Sequence, residues 1–387
     1  MLFPEGKRYL SAAALDRQLL GQRLQRLVVD AGFSCPNRDG TLGTGGCSFC
    51  DNAAFHPAYS SPQKSIRQQL DEGISFHTRR GRTAERYLAY FQSFSNTYAP
   101  LERLKEAYLD ALAHPACAGL VIGTRPDCVD AEKLDFLAGL REEALVIVEY
   151  GIESCRDETL RRVGRGHDFA CSVSAVRQTA ARGIPVGGHF ILGLPGETRQ
   201  MLLDQCDAIN AMPLDFVKFH QLQLLRGTRI VEEFARCPEA FLNPDLEAYL
   251  DLLADLVERL RPDLGIGRLA ASVPPRFLAD DGGKRGRWGG IRPSELPALL
   301  DRRLAARNSW QGRLSSFLNS GPAHLPTEKP DFAAGMRRKT NHRRTISLHL
   351  CSKSATEGRA DAKVQPKNGE KRESRRTFAA KRQQKAL

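Results

Sequence analysis

Three cysteines stand close together in the stretch Cys35-Pro36-Asn37-Arg38-Asp39-Gly40-Thr41-Leu42-Gly43-Thr44-Gly45-Gly46-Cys47-Ser48-Phe49-Cys50. Eleven residues separate Cys35 from Cys47, and two separate Cys47 from Cys50. The glycines at 40, 43, 45 and 46 let the backbone fold back on itself, so the three thiols are expected to converge. Thiolate is a soft donor suited to a metal centre, and three such donors leave a fourth position vacant. Filled by His56, the set would be a tetrahedral structural zinc site. Left open, it would be a place for chemistry. The other seven cysteines (117, 128, 155, 171, 206, 237 and 351) mostly sit in apolar patterns and read as small hydrophobes.

Other polar residues fall where strands should end. Glu149 and Glu153 lie in Glu-Tyr-Gly-Ile-Glu-Ser, with Arg162 and Arg165 soon after. Each carboxylate could accept from ligand hydroxyl or ammonium groups, or pair structurally with an arginine such as Arg125 or Arg165. Gly193-Leu-Pro-Gly-Glu197-Thr198 reads as a strand-to-helix turn whose helix start offers free amides. Gln92-Ser93-Phe94-Ser95-Asn96-Thr97 supplies hydroxyl and amide groups at another strand end, where a plain turn and helix cap is the competing reading. His189 and His220 sit inside strand patterns and could point inward.

The elements that must position these residues alternate. Residues 26–34, 86–93, 120–123, 144–150, 185–192 and 214–220 read as short, largely apolar strands. Helical spacing is legible from Ser61-Pro62 to about Phe76, over 101–113, near 130–142, between 157 and 182, and over 197–209. Six strand–helix units in series predict an α/β fold: a parallel sheet buried on both faces, closed or partly closed as a (βα)6 barrel. Active sites of such barrels lie at the C-terminal strand ends, where the cysteine loop follows the first strand. Helices over 246–260 and 294–306 read as an addition outside the barrel. The loop Asp281 to Trp288 is rich in Gly and Arg and is either a phosphate contact or a solvated loop. The expected divisions are an N-terminal extension at 1–26, a core barrel at 27–235, a C-terminal extension at 236–311 and a tail at 312–387.

The cysteine loop, with Phe49 just before Cys50, resembles the iron–sulfur motif of the radical S-adenosylmethionine superfamily. The wording Cys-Pro-Asn-Arg-Asp-Gly-Thr before Gly-Gly-Cys-Ser-Phe-Cys is similar to a bacterial subfamily related to elongator-type radical enzymes. The interval between the first two cysteines is longer than the superfamily's commonest three. The resemblance covers about residues 10–311. It implies that Cys35, Cys47 and Cys50 hold a 4Fe-4S cluster, that S-adenosylmethionine occupies the open position, and that reductive cleavage yields a 5′-deoxyadenosyl radical. It further implies cofactor contacts at Ser93 and Asn96, where relatives carry a Gly-Gly-Glu that is absent here, and at Glu149, Glu153, Arg165, Gly193 and Glu197. An external electron donor such as a flavodoxin or ferredoxin, and a tRNA wobble uridine as substrate, are the implied partners. The alternative is a non-catalytic nucleic-acid-binding protein built on the zinc site.

Composition narrows the setting. The 387 residues are 41% hydrophobic and contain no run that approaches the roughly 18 apolar residues of a membrane span. The start MLFPEGKRYL lacks a signal-peptide stretch, so a reducing cytoplasmic setting is expected. The net charge of +12 is local. Residues 312–387 hold 18 of the 57 Lys and Arg against 6 of the 45 Asp and Glu, which leaves 39 of each sign in residues 1–311. A tail of that composition is expected to be disordered and could be drawn to RNA phosphates.

Overall fold

A computed structural model of the chain describes residues 3–20, 24–279 and 288–315. The basic tail from residue 316 onward and the Gly- and Arg-rich segment 281–287 therefore lie outside the described residues. The elements run α1 (Ala12–Leu20), β1 (Gln25–Val29), α2 (Ile66–Thr78), β2 (Tyr87–Phe91), α3 (Leu101–Ala113), β3 (Cys117–Thr124), α4 (Ala131–Leu140) and β4 (Leu145–Glu153). They continue through α5 (Asp157–Arg162), α6 (Phe169–Ala181), β5 (Val186–Leu192), α7 (Arg199–Asn210), β6 (Phe216–Gln221), α8 (Arg229–Arg236), α9 (Leu246–Arg259), β7 (Gly265–Arg268) and α10 (Leu296–Ala306).

The seven strands form one sheet in sequence order, every neighbouring pair parallel. Each strand hands the chain to the next through a segment that carries helix, which is the only economical way to bring a parallel neighbour alongside. The result is a parallel half-barrel with helices on its outside. The central strands are buried along nearly their whole length, as their continuous apolar sequences require. Strand spacing is tight between β3 and β4: a Cβ at Gly119 would meet the Leu145 carbonyl oxygen at 2.1 Å, so only glycine fits there. Side-chain oxygens of Ser65, Asp130, Asp168, Thr198 and Asp245 accept from the first-turn amides of α2, α4, α6, α7 and α9, fixing where those helices begin.

Four features correct or refine the sequence expectation. The helix expected from Ser61-Pro62 starts at Ile66, because Ser65 takes the N-cap position and the backbone amide of Ser61 is held by the buried Gln69 side chain instead. The helical stretch 157–182 is two helices, broken where Gly164 and Gly166 adopt φ of +67° and +81°. A seventh strand, β7, joins the six expected ones and pairs with β6. Finally, the chain stays packed past residue 311. The Gly312 amide donates to the Val257 carbonyl (3.1 Å), the Leu314 amide donates to the Glu258 carbonyl (2.7 Å), and Ser315 is buried.

The N-terminal segment also belongs to the packed body. Ser11 bridges to Ile266 within β7, and the buried Gln311 accepts from the Leu10 amide (2.9 Å). No helix among the described residues is long and apolar enough to cross a membrane.

Candidate functional site

After β1 the chain passes through Phe33 and Ser34 into the cysteine loop. There the Arg38 amide donates to the Cys35 carbonyl (2.8 Å), the Gly46 amide to the Asn37 carbonyl (2.8 Å) and the Cys50 amide to the Cys47 carbonyl (3.1 Å). Three residues tie the loop to the barrel. The Asn37 side chain donates to the carbonyls of Gly164 (2.8 Å) and Arg165 (3.1 Å), the Ser48 amide donates to Val163, and Arg229 donates to the Gly46 carbonyl (2.6 Å). The loop is thus clamped against the segment after β4 and the start of α8.

Cys35, Cys47 and Cys50 line one cavity of about 220 Å³ together with Glu149, Glu153 and Arg165, residues from the C-terminal halves and ends of strands and the segments that follow them. Donors surround the sulfurs. The Asn37 Nδ2 lies 3.4 Å and an Arg165 nitrogen 3.7 Å from Cys47 Sγ, while Arg38 donates to the Cys50 carbonyl (2.7 Å). Burial, together with the neighbouring Cys47, pushes the Cys50 thiol up to about 11, and the Arg38 and Arg165 charges pull against that shift. A metal binding there would release the proton, since a coordinating thiol is deprotonated.

Two arginines hold unused donors in this wall. Arg165 donates to the Gly151 carbonyl (2.5 Å) and faces Glu153 at 3.7 Å, yet its buried Nε has no partner. Arg125 grips Asp127 with two bonds (2.8 and 2.6 Å) and leaves one buried terminal nitrogen unbonded. Burial raises the Glu153 carboxyl, with Arg165 and Arg125 opposing. Backbone strain collects here as well. Of the four non-glycine residues at positive φ among the described residues, Phe94 (+61°) and Glu153 (+71°) both line the cavity. Buried unpaired N–H groups and cationic side chains beside three thiols fit an anionic iron–sulfur centre and a carboxylate-bearing ligand.

The three thiols share one cavity, and among the described residues no three His, Cys, Asp or Glu side chains form a group able to hold a single metal ion. A cluster takes one thiolate on each of three irons, whereas a structural zinc needs four donors on one ion. His56 is committed elsewhere. Its Nε2 shares a 2.6 Å hydrogen bond with Ser93 Oγ, its Nδ1 faces Asp30 at 3.7 Å, and it does not line the cavity.

The remaining expected site residues divide. At the end of β2, Gln92, Phe94 and Ser95 face the cavity, whereas Ser93 turns to His56 and Asn96 donates to the Gly123 carbonyl (2.8 Å). Gly193 and Glu197 lie outside the cavity lining. The glycine at 193 has a packing reason: with φ of +95°, a Cβ there would meet the Leu242 carbonyl oxygen at 2.5 Å. Glu197 is buried behind the site, where Ser154 Oγ donates to its Oε1 (2.5 Å) and its Oε2 has no partner.

Burial raises the Glu197 carboxyl to about 7, with Ser154 the first of the hydrogen bonds opposing it. A folded pKa above the unfolded value near 4.5 means that this group's contribution to stability is full below about 4.5 and is lost as pH rises through about 7. Glu197→Gln is therefore expected to be close to neutral at pH 5 and stabilising at pH 8, by on the order of 2–3 kcal/mol. Urea denaturation of both proteins across that range checks it, and a difference that does not change with pH would refute it.

Glu149 differs from expectation in its partners. It is fully buried and takes Arg26 on Oε1 (2.9 Å) and Tyr90 (2.7 Å), His189 (2.9 Å) and Lys218 (2.5 Å) on Oε2; neither Arg125 nor Arg165 reaches it. Burial alone would raise its pKa, but Lys218 and Arg26 hold it well below the usual carboxylate range. The signal for this network was a lysine in the centre of the apolar strand Phe-Val-Lys-Phe-His, since a buried lysine requires a counter-charge.

Comparison with known proteins places this geometry. Residues 42–209 match the radical SAM superfamily, a match that includes Cys47 and Cys50 and begins after Cys35, and residues 214–293 match the radical SAM C-terminal domain. The chain is 32% identical over 322 residues to YtqA of Bacillus subtilis (strain 168), covering 82% of this chain and 96% of that protein. It is 35% identical over 262 residues to YhcC of Escherichia coli (strain K12), covering 67% and 82%. A tRNA uridine(34) acetyltransferase of Methanocaldococcus infernus is 28% identical over 60% of this chain, which spans 43% of that protein. Among solved structures, archaeal Methanocaldococcus infernus Elp3 with an N-terminal deletion superposes with a TM-score of 0.55 at 17% identity, covering 74% of this chain and 64% of that one, a likeness of fold. The half-barrel with its thiol loop at the strand ends, the two consecutive domain matches and the near full-length relatives establish that the chain is an enzyme of the radical SAM superfamily.

Proposed function

We propose that the chain binds a 4Fe-4S cluster through Cys35, Cys47 and Cys50, cleaves S-adenosylmethionine there, and modifies an RNA base, with the wobble uridine of tRNA as substrate. The observation that carries the reading is the single cavity in which the three thiols stand beside unused arginine donors. Held by Cys35, Cys47 and Cys50, a 4Fe-4S cluster reduced by an external donor would supply the one electron needed for reductive cleavage of a carbon–sulfur bond of S-adenosylmethionine.

The protein's own part is to bind, orient and exclude water. Arg38 and Arg165 offset the negative charge of the thiolate site, and the Asn37 amide steadies the Cys47 sulfur. Arg165 and Arg125 offer N–H donors for the amino-acid carboxylate of S-adenosylmethionine, and Glu153 an acceptor for its ammonium or ribose hydroxyls. Gln92 and Ser95 take the place expected of Ser93 and Asn96 at the β2 end. Support for an RNA substrate comes from the likeness to tRNA uridine(34) acetyltransferase and from the basic stretch after residue 311, whose cations would draw RNA phosphates in a salt-dependent way. The reading includes a cytoplasmic setting and a flavodoxin or ferredoxin as electron donor.

Anaerobically reconstituted protein is expected to carry iron and sulfide, absorb broadly in the visible, and release 5′-deoxyadenosine when given S-adenosylmethionine and reductant. tRNA from cells lacking the protein is expected to lose or gain one modified uridine by nucleoside mass spectrometry. A colourless protein that holds zinc and releases no 5′-deoxyadenosine would overturn the reading.

A further inference from the structure

The part of the cavity formed by β5, β6 and β7 carries a cation that no described residue neutralises. Arg268, opposite Lys218 where β7 pairs with β6, lines the cavity half-buried, and its guanidinium has no hydrogen bond or ion pair among the described residues. It is unlike the other cavity arginines, since Arg38 is bonded to Cys50, Arg125 to Asp127 and Arg165 to Gly151. The nearby carboxylate cannot serve it, because both oxygens of Glu149 are occupied by Arg26, Tyr90, His189 and Lys218.

His220 stands beside it. Its buried Nε2 has no partner, its ring lies 5.3 Å from that of His189, and both rings line the cavity. Burial and the Arg268 charge keep His220 well below its ordinary pKa, so the ring is neutral and one nitrogen carries a hydrogen to donate. The charge of Arg268 is felt by Tyr90, His189, Lys218 and His220, whereas Cys50 is flanked by Arg38 and Arg165. The unpaired guanidinium therefore belongs to a different part of the cavity from the thiols.

Resting on the proposed reading of this cavity as a cofactor and substrate site, we propose that Arg268 and His220 form a substrate-binding subsite for an anionic oxygen group, a carboxylate or a phosphate. An unpaired guanidinium next to a buried N–H is the donor arrangement that such a group completes, and leaving both unpaired in a bound complex would be costly.

The test uses the full-length reconstituted protein with S-adenosylmethionine bound, titrated calorimetrically with sodium acetate or inorganic phosphate at constant ionic strength set with chloride. One saturable site is expected for at least one of the two anions. Arg268→Gln should weaken it by about tenfold or more, the loss of one charge-assisted pair, and Arg268→Lys by less. Preference for acetate identifies a carboxylate on the substrate, and preference for phosphate identifies a nucleotide phosphate. Absence of any binding beyond chloride, an unchanged anion affinity in Arg268→Gln, or a loss in that variant that falls on S-adenosylmethionine affinity instead would each overturn the proposal. Failure of the radical reading is seen separately, as wild-type protein that releases no 5′-deoxyadenosine.

Discussion

Alanine in place of Cys35, Cys47 or Cys50, one at a time, is expected to reduce both bound iron and 5′-deoxyadenosine release to background. Each thiolate would hold a different iron, and among the described residues no other cysteine lines the cavity to take over. The loop itself should survive, because its conformation is held by backbone bonds, the Asn37 amide and Arg229 rather than by the sulfurs. Circular dichroism of the three apo variants should therefore match wild type. Cys117→Ala, Cys171→Ala and Cys237→Ala, made in β3, in α6 and after α8, provide the contrast and should keep the iron. Iron and sulfide retained in full by Cys35→Ala would remove the ground for the three-thiolate site.

What could be read from the sequence followed the length scale of the signal. Six strands and most of their helices were legible because apolar runs and helical stripes are local, and the order of a parallel sheet follows from alternation. β7 was not, since Gly265-Ile-Gly-Arg268 is four residues with two glycines and a cation, which carries no strand signature; only pairing with β6 makes it one. The same division runs through the site. The cysteine loop announces itself by spacing within 16 residues. The partners of Glu149 are 123, 59, 40 and 69 positions away along the chain, and no local pattern connects them. Strand-end position alone placed Ser93 and Asn96 at the cavity, but β2 ends at Phe91 and the backbone turns at Phe94 with φ of +61°, so strand alternation does not continue and Gln92, Phe94 and Ser95 line the cavity instead.

Glu149→Gln is expected to destabilise the fold by about 3–5 kcal/mol, because it removes the carboxylate that four buried or half-buried donors share and leaves the buried Lys218 without its counter-ion. The amide cannot substitute: one of its ends is a donor, and wherever it turns it faces Lys218 and Tyr90 or Arg26 with a second set of hydrogens. From sequence, Glu149 reads as a cofactor contact, in which case the variant would lower S-adenosylmethionine affinity and leave stability alone. The observed bonds argue for the opposite order of effects. Lys218→Met should cost less, since the carboxylate keeps Arg26, Tyr90 and His189, and the double variant should lose less than the sum of the two, with an interaction of about 1–3 kcal/mol. Urea unfolding of the apo proteins measures this without any dependence on the cluster. Stability of Glu149→Gln within about 0.5 kcal/mol of wild type, the range of ordinary surface changes, would show that the network contributes little and would return Glu149 to the ligand-binding side of the cavity.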